Sequence, residues 1–116
     1  MDYSEHLPHI NVKDGLSRVL NNKPLYIRLL GKFKGPELVE NLAEAVRNKD
    51  CEGVSYSAHA IKGTCANLGF PIISKVAGDI EEAAKTGEDP EAFLPKLYEA
   101  LEGLMGKIEI LLKDAP

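Results

Sequence analysis

The sequence predicts an all-α fold, an antiparallel four-helix bundle with short N-terminal covering helices. Three observations carry this expectation. No segment alternates apolar and polar residues over five or more positions with β-branched enrichment, so strand signals are missing. Apolar residues recur instead at spacings of three and four along nearly the whole chain. Gly and Pro fall between these stretches and cut them to helical lengths.

Residues 11–21 read as a first short helix, with Val12, Leu16, Val19 and Leu20 on one side. Asn21-Asn22 offers a break and a new N-cap, and Pro24 fits the first turn of a second helix that carries Leu25, Leu29, Leu30 and Phe33. That helix stops near Gly35-Pro36, where a third begins and runs to Lys49 with Val39, Leu42, Ala43 and Val46 in register. A fourth spans Glu52 to Leu68, and Gly69 is placed to terminate it. A fifth runs from Pro71 to Thr86 with Ile72, Ile73, Val76, Ala77, Ile80 and Ala84. After a loop at 87–90, residues 90–93 form a separate turn, and Pro95 enters the first turn of a last helix reaching Lys113. Its seam is Leu94, Leu97, Leu101, Leu104, Ile108 and Leu111.

The chain has 116 residues, enough for one domain, with the bundle core expected at about 36–113 and the covering helices at about 11–34. Its 44% hydrophobic and 28% charged residues match a folded globular chain, which excludes intrinsic disorder. No apolar run is long enough to span a bilayer, so no membrane role is expected. Two cysteines without metal-site spacing point to a reducing, cytoplasmic setting and to no bound metal. A net charge of −4 and an aromatic content of 6% count against nucleic-acid binding. No phosphate-binding loop or kinase motif occurs, so no intrinsic kinase activity and no cofactor are expected.

The fourth helix is the informative one. At about 100° per residue, Val54, Ala58, Ile61, Cys65 and Leu68 form one apolar stripe, and His59 lies about 140° from its centre. His59 should therefore face solvent, with Ser55, Tyr56, Lys62, Gly63 and Ala66 within about 60° of it. Most of these neighbours are small, although exposed helix faces usually carry long polar side chains. Gly63 sits mid-helix, where it costs about 1 kcal/mol relative to Ala. A reachable imidazole, open space beside it and a nearby cation suit phosphoryl transfer, which is mostly positioning and charge compensation.

The segment His59-Ala60-Ile61-Lys62-Gly63-Thr64-Cys65-Ala66-Asn67-Leu68-Gly69 resembles the signature of histidine-containing phosphotransfer (HPt) domains, H-x-[LI]-K-G-x-x-x-x-x-G. Gly15-Leu16, Leu25-Tyr26 and Leu29-Leu30 before Phe33 are similar to the usual entry of such domains, and Val76-Ala77 with Ile80-Glu81 to the following helix. The resemblance implies the four-helix bundle and a cytoplasmic, monomeric phosphocarrier of multistep His–Asp phosphorelays, a component of two-component signal transduction. It implies that His59 is the phosphoacceptor, that Lys62 steadies the phosphate, and that Gly63 keeps the docking surface open with Ser55, Tyr56 and Ala66 around it. Gly69 then has the structural task of ending the helix. The implied partners are response-regulator receiver domains, which bring their own Mg²⁺, and a sensor or hybrid histidine kinase. Two alternatives stay open: a phosphoacceptor module of a larger hybrid or chemotaxis-type histidine kinase, and a helical adaptor that is never phosphorylated.

Other chemistry-bearing residues read as ordinary structure. His6 and His9 read as surface of a flexible terminus, since no acid or cysteine completes a metal site beside them. Cys65 reads as core packing, and Cys51 opens the fourth helix. Glu81, Glu82, Glu88, Asp89 and Glu91 read as a solvated acidic patch around a loop.

Overall fold

In a computed structural model, residues 9–114 are described and His6 lies outside them. They form α1 (Val12–Ser17), α2 (Lys23–Lys32), α3 (Gly35–Arg47), α4 (Cys51–Leu68), α5 (Pro71–Thr86), a 3-10 turn (Pro90–Phe93) and α6 (Leu94–Asp114), with no strand among the described residues. Helices α3 to α6 make the bundle, and α4 packs most extensively on α5 and next on α3. Only Gly69 and Phe70 separate α4 from α5, so the chain must fold straight back into an antiparallel hairpin. Helix α6 closes the bundle against α5 and α3, while α1 covers α4 and α2 lies against α6.

The element boundaries follow from local chemistry. Asn11, Asn22 and Asp50 each cap a helix by accepting a hydrogen bond from a first-turn amide, at 3.0, 3.1 and 3.0 Å. Proline occupies the first turn of α2, α3 and α5 and the second position of α6, where its missing N–H costs nothing. Helix α1 is shorter than the 11–21 its apolar pattern predicts. Leu20 and Asn21 both take left-handed backbone, with φ of 55° and 60°, and that ends the helical path.

The core forms one cluster running from Ile10 to Leu111. The stripe predicted for α4 is its buried side: Val54, Ala58, Ile61, Cys65 and Leu68. Burial pushes the Cys65 thiol up to about 12, as befits an inert packing residue.

The covering helices are locked onto the C-terminal end of α4. Buried Tyr26 donates its hydroxyl to the Leu68 carbonyl at 2.7 Å, and the Asn11 amide donates to the Gly69 carbonyl at 2.6 Å. Gly69 has φ of +82°, and a Cβ there would also strike the Asn11 carbonyl. Gly15 is equally constrained, since a Cβ would sit 2.6 Å from the Leu68 carbonyl. These contacts fix the end of the helix that presents His59.

Candidate functional site

His59 stands midway along α4 with 71% of its side chain exposed. The surroundings match the helical-wheel expectation in most respects. Tyr56 is 80% exposed, Ser55, Lys62 and Ala66 are half-buried, and a Cβ added to Gly63 would meet nothing within 4 Å. The imidazole therefore rises from an open strip of helix, with one aromatic ring standing beside it.

The wheel did not anticipate what lies beneath. Glu81, on α5, is buried, and its carboxylate reaches across to α4. Oε2 lies 3.0 Å from Nδ1 of His59, and Oε1 accepts a hydrogen bond from Lys62 Nζ at 2.6 Å. The Lys62 hydrogen bond, joined by that of His59, outweighs the opposing effect of burial and holds the Glu81 carboxyl below its ordinary range. An ionised carboxylate only accepts, so Nδ1 carries the proton, and in the neutral form of the ring the lone pair then lies on Nε2.

Glu81 thus corrects the reading of a solvated acidic patch; Glu82, Glu88, Asp89 and Glu91 are exposed as expected. The signal that marks Glu81 is its register. It follows Ala77 by four and precedes Ala84 by three, so it sits at a core spacing on α5 where a carboxylate needs a partner. Ser74 adds a second tie between the helices, donating its hydroxyl to the Lys62 carbonyl at 3.0 Å.

His9 also departs from expectation. Its ring lies half-buried directly against Gly103 of α6, where any Cβ would collide with it, so it is packed rather than free surface. No group of three or more metal-ligating side chains occurs among the described residues. No described helix is long and apolar enough to cross a membrane.

Fold and site together define a class: a helical bundle that holds one imidazole out to solvent, oriented from below by a carboxylate and flanked by a lysine. Residues 32–109 match the family model of the Hpt domain, and the chain belongs to the Hpt domain family. Two solved structures share the fold. The histidine-containing phosphotransfer protein B (HptB) of Pseudomonas aeruginosa PAO1 matches with a TM-score of 0.85 at 19% identity, covering 95% of this chain and 99% of its own. The HPT domain of an Hpt sensor hybrid histidine kinase from Shewanella matches with a TM-score of 0.73 at 21% identity, covering 92% of this chain and 96% of its own. No curated protein matches significantly. Membership of the family makes the chain a phosphocarrier of the phosphorelay type.

Proposed function

We propose that the phosphoryl group is carried on Nε2 of His59, received from the aspartate of one receiver domain and passed to that of another. The contact that supports this most directly is the 3.0 Å one between His59 Nδ1 and Glu81. With Nδ1–H committed to Glu81, the Nε2 lone pair forms the N–P bond as the bond from phosphorus to the aspartyl oxygen breaks. The product is an N-phosphoimidazolium whose proton stays on Nδ1, opposite the Glu81 carboxylate. In the onward step the second aspartate attacks phosphorus, the N–P bond breaks, and neutral imidazole leaves. No proton has to enter or depart in either direction, which suits a carrier that works reversibly.

Lys62, 2.6 Å from Glu81 in the resting site, supplies the cation for the added phosphate. Gly63 leaves room for the incoming receiver, with Ser55, Tyr56 and Ala66 completing the contact face. The Mg²⁺ of the reaction belongs to the receiver, and the chain lends nucleophile, cation and platform without turnover of its own. The likeness to the Shewanella hybrid-kinase domain favours a second reading, in which the same site serves as a module of a larger kinase. Incubation with phosphorylated receiver domains tests both: the parent should gain acid-labile, base-stable phosphate, and His59→Gln should gain none.

A further inference from the structure

A glycine in the middle of a helix needs a reason. Gly78 is the only glycine inside α5, midway along it, where it lowers the folding equilibrium about fivefold relative to alanine. Close approach of another helix is not that reason. Beyond its own helix, a Cβ at Gly78 would meet one atom within 4 Å among the described residues, Cδ of Lys62 at 3.4 Å. The space above Gly78 is thus taken by the stem of the lysine that crosses from α4 to Glu81.

Helix α5 holds Lys62 at three levels. Ser74 donates its hydroxyl to the Lys62 carbonyl at 3.0 Å, Gly78 makes room for the stem, and Glu81 Oε1 accepts from the ammonium at 2.6 Å. Ser74, Gly78 and Glu81 follow at spacings of four and three, so they lie within about 60° of one another on one face of α5. Backbone, aliphatic stem and charged head of one side chain each have a place on a single stripe. A side chain at position 78 would stand in the middle of that path.

We propose that Gly78 is a positioning residue for phosphoryl transfer: it leaves a corridor across α5 in which the Lys62 stem lies while the ammonium passes between Glu81 and a phosphate on His59. This role deepens the phosphocarrier reading and rests on it. His59 and Lys62 stand three residues apart on α4 and share Glu81, whose Oε2 is 3.0 Å from His59 Nδ1. The ammonium therefore starts within one turn of the imidazole. With Cδ seated over Gly78, only the last two side-chain torsions turn when the ammonium changes partners. A lysine free at every torsion has more rotamer entropy to lose in making the same contact. The seated stem places the charge with less of that loss.

Valine at position 78 tests the corridor, because its two γ-carbons cannot both point away from the stem. Gly78→Val is compared with Gly78→Ala, Gly78→Gln, Lys62→Ala and the double variant Gly78→Val/Lys62→Ala. Gly106→Val, on α6 where a Cβ meets nothing within 4 Å, is the control. Two quantities are read: titration of the Glu81 carboxyl by carbon NMR, which needs no phosphate, and the rate of transfer from a phosphorylated receiver to His59. Lys62 holds that carboxyl below its ordinary range in the parent. Gly78→Val should raise its titration toward that of Lys62→Ala and slow transfer roughly fivefold, the loss of about one charge-assisted contact. Gly78→Gln should do so in part, and Gly78→Ala least, since a methyl meets Cδ at ordinary contact distance. In the Lys62→Ala background Gly78→Val should slow transfer no further, which separates a displaced lysine from a side chain that obstructs the receiver. Gly106→Val should match the parent in both readouts. A folded Gly78→Val protein with parental Glu81 titration and rate overturns the proposal, and so does a slowing that persists undiminished in the double variant. Should Gly78→Val not fold, the same outcomes are read from Gly78→Gln. If the parent takes no phosphate from any receiver, the phosphocarrier reading fails and this role for Gly78 with it, while the Glu81 titration still reports whether the stem was displaced.

Discussion

Glu81 Oε2 sits 3.0 Å from Nδ1 of His59, so a buried carboxylate on α5 sets the tautomer of an exposed imidazole on α4. Losing that contact frees the proton to occupy Nε2, the nitrogen proposed to attack. Glu81→Ala should therefore slow transfer on the order of tenfold or more, by analogy with wrong-tautomer variants of triad hydrolases, where a carboxylate likewise orients a catalytic imidazole. Glu81→Gln can still accept from Nδ1–H through its amide oxygen and should be less impaired. Nitrogen NMR of the ring gives an independent readout: Nδ1 should be the protonated nitrogen in the parent and a tautomer mixture should appear in Glu81→Ala.

Acid should expose the same group. Lys62 first, and then His59, hold the Glu81 carboxyl below its ordinary value of 4.5. A lowered folded-state pKa means that the stabilisation is complete above the ordinary value and is lost as pH falls through the folded one. Between about pH 5 and pH 3 the parent should thus lose more stability than Glu81→Gln, measured by urea unfolding. Equal losses would mean that the carboxylate contributes nothing to folding.

Lys62, proposed above to compensate the phosphate charge, also makes a structural contact. Its ammonium is 2.6 Å from Glu81, whose side chain is only 10% exposed. Lys62→Ala leaves that carboxylate with one hydrogen-bond partner fewer and should cost roughly 1 kcal/mol, tempered by the lysine's own exposure. Transfer should slow, or the phosphohistidine lifetime shorten, by more than that loss explains.

Two glycines, one within α4 and one capping its end, should respond in opposite ways. Gly63 faces open space, so Gly63→Ala should stabilise by up to about 1 kcal/mol and Gly63→Gln should also fold. Gly63→Gln should nevertheless transfer far more slowly, because its side chain stands one turn from the imidazole in the path of the receiver. Gly69, with φ of +82° and the Asn11 carbonyl in the way, should lose stability on conversion to Ala by more than about 1 kcal/mol. Thermal melts with transfer rates separate these outcomes.

Much of the fold was legible because each element carries its own punctuation. Asn22, Gly69, Pro71 and Pro95 mark boundaries that the structure reproduces within about a residue. The α4 stripe placed His59 outward because a single helix suffices to decide that direction. Glu81 escaped because its register on α5 marks only a core-side position, while the partners that make a buried carboxylate acceptable, His59 and Lys62, stand on α4 and meet it only when the two helices pack. The early end of α1 escaped for a related reason: apolar spacing through Leu20 continues the pattern, while the left-handed turn at Leu20 and Asn21 is fixed by backbone hydrogen bonds to Leu16 and Val19. His9 was misread because only its contact with Gly103 of a distant helix removes it from the surface.

The most direct measurement is the isomer of phosphohistidine formed when the chain is incubated with a phosphorylated receiver. Orientation of His59 by Glu81 predicts phosphate on Nε2 of His59 alone, with none in His59→Gln and a reduced rate in Glu81→Ala. Phosphate on Nδ1, or undiminished label in His59→Gln, would contradict the account.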